Sequence, residues 1–397
     1  MIKYSIVLTL ILFNHSSWAQ NTVTLHLDPD NAHGGTATQI FDSIRFIPLE
    51  TTRESLFGSI DQMEVTDSLF IILDTRGHSI LLFRRNGTFF TRISTGGGDK
   101  YFFYFTLDRS AGEIIVTNNY ANALLVYDFR GRFLRKESHP DQIQSLYYFP
   151  GNTILYNLHR AGKVESSDHI LFDLCYSKGY DSVVKNVRPY NARNEDGEYS
   201  SLSNAFNFSG EAGSCMFSLP FDYTFYQLND TGILRKYHLI FPLIKSLPPN
   251  FSTDVGYRNI RGKYAYTSPG TSSTILALER GYRYGEYLLF STFSRHLTAG
   301  ADYNFAYNLQ NGNLISFSRV TGDSSSFYFP ILDGPLERID AIYNDIIFSS
   351  LPGFTMFAVK NGLDKRVSYP ERLKEYFTNG KKSDNSVIVQ FRLNPNL

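Results

Sequence analysis

LLVYDFRGRFL (residues 124–134) echoes ILLFRRNGTFF (80–90), written 44 positions earlier. Setting Gly87 on Gly131 superposes FIILDTRGHSILLFRRNGTFFTR, from Phe70, on IIVTNNYANALLVYDFRGRFLRK, from Ile114, without a gap. Each copy is an apolar run, a turn rich in Asn, Asp or Gly, a second apolar run, a Gly-bearing turn and an alternating third run. That order predicts a three-strand meander whose turns need glycine at positive φ. A further strand precedes each copy, at 60–65 and at 101–107, giving four antiparallel strands in about 44 residues. This is the size of one β-propeller blade.

Looser echoes follow at FYQLNDTGILRK (225–236) and FAYNLQNGNLISF (305–317), at intervals of 101 and 80 residues. Each interval suits two irregular blades. The period alone would give eight or nine blades, whereas blades stretched by loops would give six. The expected fold class is all-β, a β-propeller of six blades of four-stranded antiparallel sheets. Helix is expected only at PERLKEYF (370–377), with Pro370 at its first position and Gly380 as its stop. The alternating SVIVQFRL (386–393), together with TVTLHL (22–27), is expected to close the ring from both chain ends, because an open ring leaves sheet edges unpaired.

Composition agrees with a β-rich core: 42% of residues are hydrophobic, and 33 Phe and 27 Tyr favour strands. Lys plus Arg equals Asp plus Glu at 38 each, so no global field draws the chain to nucleic acid. The leader MIKYSIVLTLILFNHSSWAQ carries an early Lys3, a short apolar run and small residues at 17 and 19, which reads as a secretory signal peptide (1–19) cleaved after Ala19. No Cys follows that site, so no lipid anchor is expected, and no later stretch is apolar for long enough to span a bilayer. The expected product is a single propeller domain (20–397) in the periplasm or outside the cell, a monomer without a transmembrane segment. Its two cysteines, Cys175 and Cys215, lie 40 residues apart, near one repeat length, and are either a bridge between neighbouring units or two buried thiols.

The phrases IRFIPLET (44–51), LLVYDFRGRF, YTFYQLNDTGILRKYHLIF (223–241) and SDNSVIVQFRL (383–393), in that order, resemble the six-bladed β-propellers exported by Bacteroidetes, related in shape to NHL-repeat propellers. The resemblance implies six blades and an exported protein, and it runs from about residue 41 to 393. The chain departs from that pattern at TGGGDKY (95–101), where Gly98 and Lys100 replace a Pro and a Glu.

Chemical motifs are sparse. TGGGDK lacks the Lys-Ser/Thr ending and the helix of a phosphate loop, so it reads as an inter-blade turn. The histidines show no metal-ligand spacing, and neither metal nor cofactor is expected. GxSxG is absent, and the catalytic residues of any triad are unknown from sequence. The segment VGYRNIRGKYAYTSPG (255–270) interleaves Tyr257, Arg258, Arg261, Lys263 and Tyr264, and Tyr284 follows in RGYRYGEYLLF. These six are the candidate ligand-binding residues, since Arg with Tyr can grip an anionic sugar, a carboxylate or a peptide. The alternative is aromatics packed into the sheet beneath a solvated basic face. The functional expectation is a non-catalytic binding module that recognises a glycan, a peptide or an envelope protein through its loop face or channel. A hydrolase or lyase acting at the channel mouth is the second reading.

Overall fold

The computed structural model describes residues 21–94, 102–118, 123–139, 141–158, 171–180, 183–190, 206–261, 274–294, 303–332, 337–363 and 367–397. Six sheets form a six-bladed β-propeller. Blade 1 is β4 (Gln62–Val65), β5 (Leu69–Asp74), β6 (Ser79–Arg84) and β7 (Phe89–Ser94); blade 2 is β8 (Phe102–Asp108), β9 (Glu113–Asn118), β10 (Ala123–Asp128) and β11 (Phe133–Ser138). These are the two sequence copies, each an antiparallel meander running from the channel outward. Blade 3 comprises β12 (Ile143–Phe149), β13 (Thr153–Leu158), β14 (Leu171–Lys178) and β15 (Val183–Tyr190). Blade 4 comprises β16 (Asn207–Phe208), β17 (Ser214–Ser218), β18 (Thr224–Asn229) and β19 (Ile233–Ile240).

Blade 5 is β20 (Ile275–Tyr284), β21 (Tyr287–Ser294), β22 (Asn304–Asn308) and β23 (Leu314–Thr321). The two later echoes therefore mark blades 4 and 5. The 101-residue interval holds two blade steps as expected, but the 80-residue interval holds only one. The excess lies in the long segment between β19 and β20, which sequence spacing cannot distinguish from a blade.

Blade 6 is composite: β24 (Ala341–Tyr343), β25 (Ile346–Leu351) and β26 (Val387–Leu393) are completed by β3 (Phe41–Pro48) from the other end of the chain. The register runs from Val387 opposite Pro48 to Leu393 opposite Phe41. The segment at 22–27 does not join this sheet. Instead β1 (Asn21–His26) lies parallel to β19 on the rim of blade 4, and β2 (His33–Thr36) lies parallel to β23 on the rim of blade 5. This belt covers two outer edges that would otherwise offer unpaired backbone groups. Arg319 pins it through the carbonyls of Pro29, Asp30 and Ala32. Helices α2 (Gly353–Gly362) and α3 (Glu371–Asn379), numbered after the single turn α1 (Ala37–Ile40), sit between β25 and β26. Pro370 is the N-cap of α3 rather than its first helical residue, and Gly380 is its C-cap.

The strands explain the apolar runs. Along β5, Leu69, Ile71 and Leu73 pack toward blade 2, while Phe70 and Ile72 pack toward blade 6, so both faces of LFIILD are buried. Sheets covered on both faces need continuous apolar strands rather than alternating ones. Each fully buried Leu, Ile or Phe is worth roughly 1.5–3 kcal/mol against its exposed state, so the inter-blade seams carry the stability of the ring. Cys175 of β14 and Cys215 of β17 do lie on neighbouring blades and share one apolar cluster, but no disulfide joins them. Burial pushes the Cys215 thiol well above its ordinary range, leaving it an inert filler.

Gly87 and Gly131 adopt φ +90 and +79, as the turn chemistry requires. They differ in what surrounds them. A Cβ on Gly131 would stand 3.0 Å from the Thr91 methyl, whereas one on Gly87 would stand 2.2 Å from the Pro48 carbonyl oxygen of the ring-closing strand. We therefore expect Gly131→Ala to cost about 1–2 kcal/mol, the usual penalty for a side chain in the left-handed region. Gly87→Ala should cost more; equal denaturation midpoints for the two variants would contradict the collision with blade 6.

The segment between β19 and β20 is held by an arginine that sequence reading places on a ligand face. Arg261 is fully buried, and its guanidinium donates to the carbonyls of Phe251 (2.8 Å) and Asp254 (2.7 Å). Arg261→Ala should cost about 2–4 kcal/mol, since two buried acceptors lose a charged donor. A urea midpoint unchanged from the parent chain would refute this structural role.

Candidate functional site

The inner strands of all six blades enclose a cavity of about 250 Å3 in the central channel. It lies near the start of five inner strands, at Gln62, Tyr104, Ser145, Phe208 and Ala341 of β4, β8, β12, β16 and β24. In blade 5 it is met further along β20, at Glu279, Arg280 and Tyr282.

That exception follows from a break in β20. Glu279 pairs with Ser291 and Tyr282 with Leu289, so Arg280 and Gly281 together face one partner residue, which is a β-bulge. Arg280 takes φ +50, a conformation that side chains other than those of Gly, Asn and Asp seldom adopt. Gly281 is required beside it, because a Cβ there would stand 2.6 Å from the Phe225 ring. Its carbonyl also accepts from Asn207 Nδ2 at 2.6 Å.

The bulge aims Arg280 into the channel. Its Nη2 donates to the Asp61 carbonyl of blade 1 at 2.6 Å, and its Nη1 reaches Asp340 Oδ1 of blade 6 at 3.3 Å. One side chain of blade 5 thus ties blades 6 and 1 together. Asp340 is 1% exposed and also accepts from Ser350 Oγ at 2.9 Å. Burial raises its carboxyl above the ordinary range, and Arg280, Arg338 and Ser350 act against that rise.

Arg338 stands at the same corner, its Nε 3.7 Å from Asp340 Oδ1 and its Nη2 on the carbonyls of Ile60 (2.7 Å) and Asp61 (3.2 Å). The Arg280 guanidinium, followed by burial, pulls Arg338 below the usual arginine range, while Asp340 and Glu279 oppose the pull. A third of the Arg338 side chain meets the space of the cavity. Protein surrounds that space on every blade, so the charge is still drawn away from bulk water.

The other groups are more self-contained. Glu64 pairs with Arg109 at 2.8 Å, and burial lifts its carboxyl despite that partner. Tyr104 donates to the Phe206 carbonyl at 2.5 Å, and burial holds its phenol well above the usual range. The Asp61 carboxylate is engaged by Ser59 and Thr75. Phe103 and Phe208 line the cavity from blades 2 and 4, where the neighbouring Phe206 ring is buried against Phe217. Among the described residues no three of His, Cys, Asp and Glu gather where they could hold a metal ion, and no helix is long and apolar enough to cross a membrane.

Of the six residues singled out by sequence, the four that are described, Tyr257, Arg258, Arg261 and Tyr284, are not among those lining this cavity. Tyr257 packs on Phe251 with ring centroids 5.0 Å apart, and Arg258 is half-buried beside it. Tyr284 lies at the β20–β21 turn and donates to the Asp345 carbonyl. Lys263 and Tyr264, like the stretch TGGGDKY and the leader, fall outside the described residues. What sequence reading passed over was Arg280, whose signal is an Arg-Gly pair inside a strand, the mark of a bulge. Arg338 and Asp340 carried a fainter one, the Ile-Asp pair that stands before an inner strand at both 60–61 and 339–340.

One solved structure supports the architecture. A protein from Bacteroides fragilis NCTC 9343 described as exported superposes with a TM-score of 0.69 at 13% identity, over 94% of this chain and 100% of that one. A member of the DUF4221 family from Bacteroides vulgatus ATCC 8482 gives 0.49 at 12% identity, covering 89% of this chain and 97% of that one. A protein of unknown function from Bacteroides caccae gives 0.39 at 10% identity, covering 64% of this chain and 81% of that one. At 13% identity the likeness to the Bacteroides fragilis protein speaks for fold alone. No curated protein matches the sequence. Residues 22–392 match the family described as Domain of unknown function (DUF4934), and the chain belongs to that family.

Proposed function

We propose that this is an exported, non-catalytic binding propeller that takes its ligand in the central channel. Export rests on the leader read from the sequence, with cleavage after Ala19, and the exported relative from Bacteroides fragilis is consistent with it. One observation carries the binding reading. All six blades contribute to a cavity of about 250 Å3, in which a strained, bulged Arg280 is held beside the partly open Arg338. Backbone strain is kept where the surrounding structure gains from the geometry it enforces, and such positions cluster at ligand sites. The ligand classes in view are a glycan, a peptide or a segment of a partner protein. Hydrolysis or elimination at the same place is the second reading, favoured by the raised Glu64 carboxyl inside the cavity.

A thermal-shift screen of the mature chain, run in parallel on Gln144→Trp, tests the channel. Gln144 lines the cavity from blade 3, where it accepts from Asn157 Nδ2 at 3.4 Å, and an indole in its place fills the space from a blade other than those that carry the arginines. A ligand at a hundredfold excess over its Kd stabilises the parent by roughly 2.7 kcal/mol. That gain should vanish in the filled variant. A compound that stabilises both proteins alike would move the site away from the channel, and conversion of a stabilising compound to product would favour the enzyme.

A further inference from the structure

The cavity has two unlike walls. Blades 5, 6 and 1 bring two guanidiniums that share one close carboxylate, Asp340, at 3.3 Å from Arg280 and 3.7 Å from Arg338. Blades 2 and 4 bring aromatic rings, among them Phe103, which is 45% exposed although it belongs to an inner strand. An exposed ring facing an enclosed space is an apolar surface without a cover.

Arg338 is half-tied. Its Nη2 is fixed on the Ile60 and Asp61 carbonyls, yet its Nη1 has no hydrogen-bond partner among the described residues. The held Nη2 fixes the plane of the guanidinium, leaving Nη1 as a single preset donor. A charged N–H of this kind suits an anionic acceptor such as a carboxylate, and holding it rigid removes much of the ordering cost of binding. Asp61, Glu64 and Glu279 line the cavity besides Asp340, so a second negative charge there would be repelled. The site thus suits a monoanion and disfavours a dianion such as a phosphate monoester. A volume of about 250 Å3 is room for roughly eight waters at ~30 Å3 each, enough for one acidic head and one ring or branched side chain.

We infer that the channel binds a carboxylate carried next to an aromatic or branched apolar group, with the carboxylate on Arg338 and the apolar group against Phe103 and Phe208. The inference rests on the channel being the ligand site. A free small acid and the C-terminus of a peptide share this chemistry.

Titration calorimetry on the mature chain decides it, using N-acetylphenylalanine, its amide, a short peptide ending in phenylalanine with free or amidated terminus, and inorganic phosphate. At least one free acid should bind, with its amide weaker by about tenfold or more, the loss expected for a charge-assisted pair. Binding of N-acetylphenylalanine alone assigns the site to small acids, and binding of the free-ended peptide extends it to chain ends. Arg338→Gln should abolish the preference for acid over amide. Phe103→Ala, at an exposed position that the fold tolerates, should weaken acid and amide by the same factor. Equal affinity for acid and amide, an acid preference that survives Arg338→Gln, or tighter binding of phosphate would each overturn the inference. If no carboxylate binds while Gln144→Trp still removes the stabilisation given by another class of compound, the inference falls and the channel reading stands.

Discussion

The structure depends on the pairing of Phe41–Pro48 with Val387–Leu393. Six twisted sheets packed face to face form a ring only if the last seam is made, and here that seam is a strand ladder between the two ends of the chain. Five of the seven residues of β26 are at most 5% exposed apolar side chains, so losing the pairing would also expose the face that blade 1 covers. The closing strand reaches further through its exit. Glu50 N–H donates to the Gly87 carbonyl at 2.8 Å, which locks the outer turn of blade 1 to the end of β3. Local turn chemistry and global closure therefore meet at one glycine.

Closure also creates the channel and sets its chemistry. In a ring of identical blades the inner strands would present the same side chains six times, giving a lining with no preferred direction. Here β16 is only two residues long, β20 is ten residues long and bulged, and the chain entering β24 passes through Phe327, Tyr328 and Leu332, all at positive φ. The bulge of β20 and the turns before β24 fall on the blades that carry Arg280, Arg338 and Asp340. The regular blades 1 and 2 supply the frame; the irregular ones supply the polar corner.

The same division explains what could be read from sequence. The meanders of blades 1 and 2 were legible because apolar runs and Gly-bearing turns act over a few residues, and two copies aligned without a gap. Blade 5 was miscounted because its extra length lies in a segment outside the sheet, where spacing carries no blade signal. The belt at 21–36 was misplaced because an alternating strand does not say which edge it will cover. Arg261 looked like a surface cation among tyrosines. Its burial depends on where the Phe251 and Asp254 carbonyls turn, which no spacing rule encodes. The polar corner was hidden for a similar reason, since Arg280, Arg338, Asp340 and Asp61 come from three blades and meet only when the ring is complete.

An arginine at positive φ, next to a glycine that a neighbouring phenylalanine will not let change, is a costly way to join three blades. Buried ion pairs are seldom the most stable choice for such a position, because desolvation offsets much of the attraction and an apolar plug of the same size often does better. The ring has ample apolar side chains for that purpose, and it uses them at every seam. Keeping Arg280 on the Asp61 and Asp340 groups therefore makes physical sense if its effect is on Arg338. With Asp340 shared and the Ile60 and Asp61 carbonyls occupied, Arg338 can neither collapse onto its neighbours nor leave the channel. The strain at Arg280 is then the cost of an arginine held open at the centre of the ring.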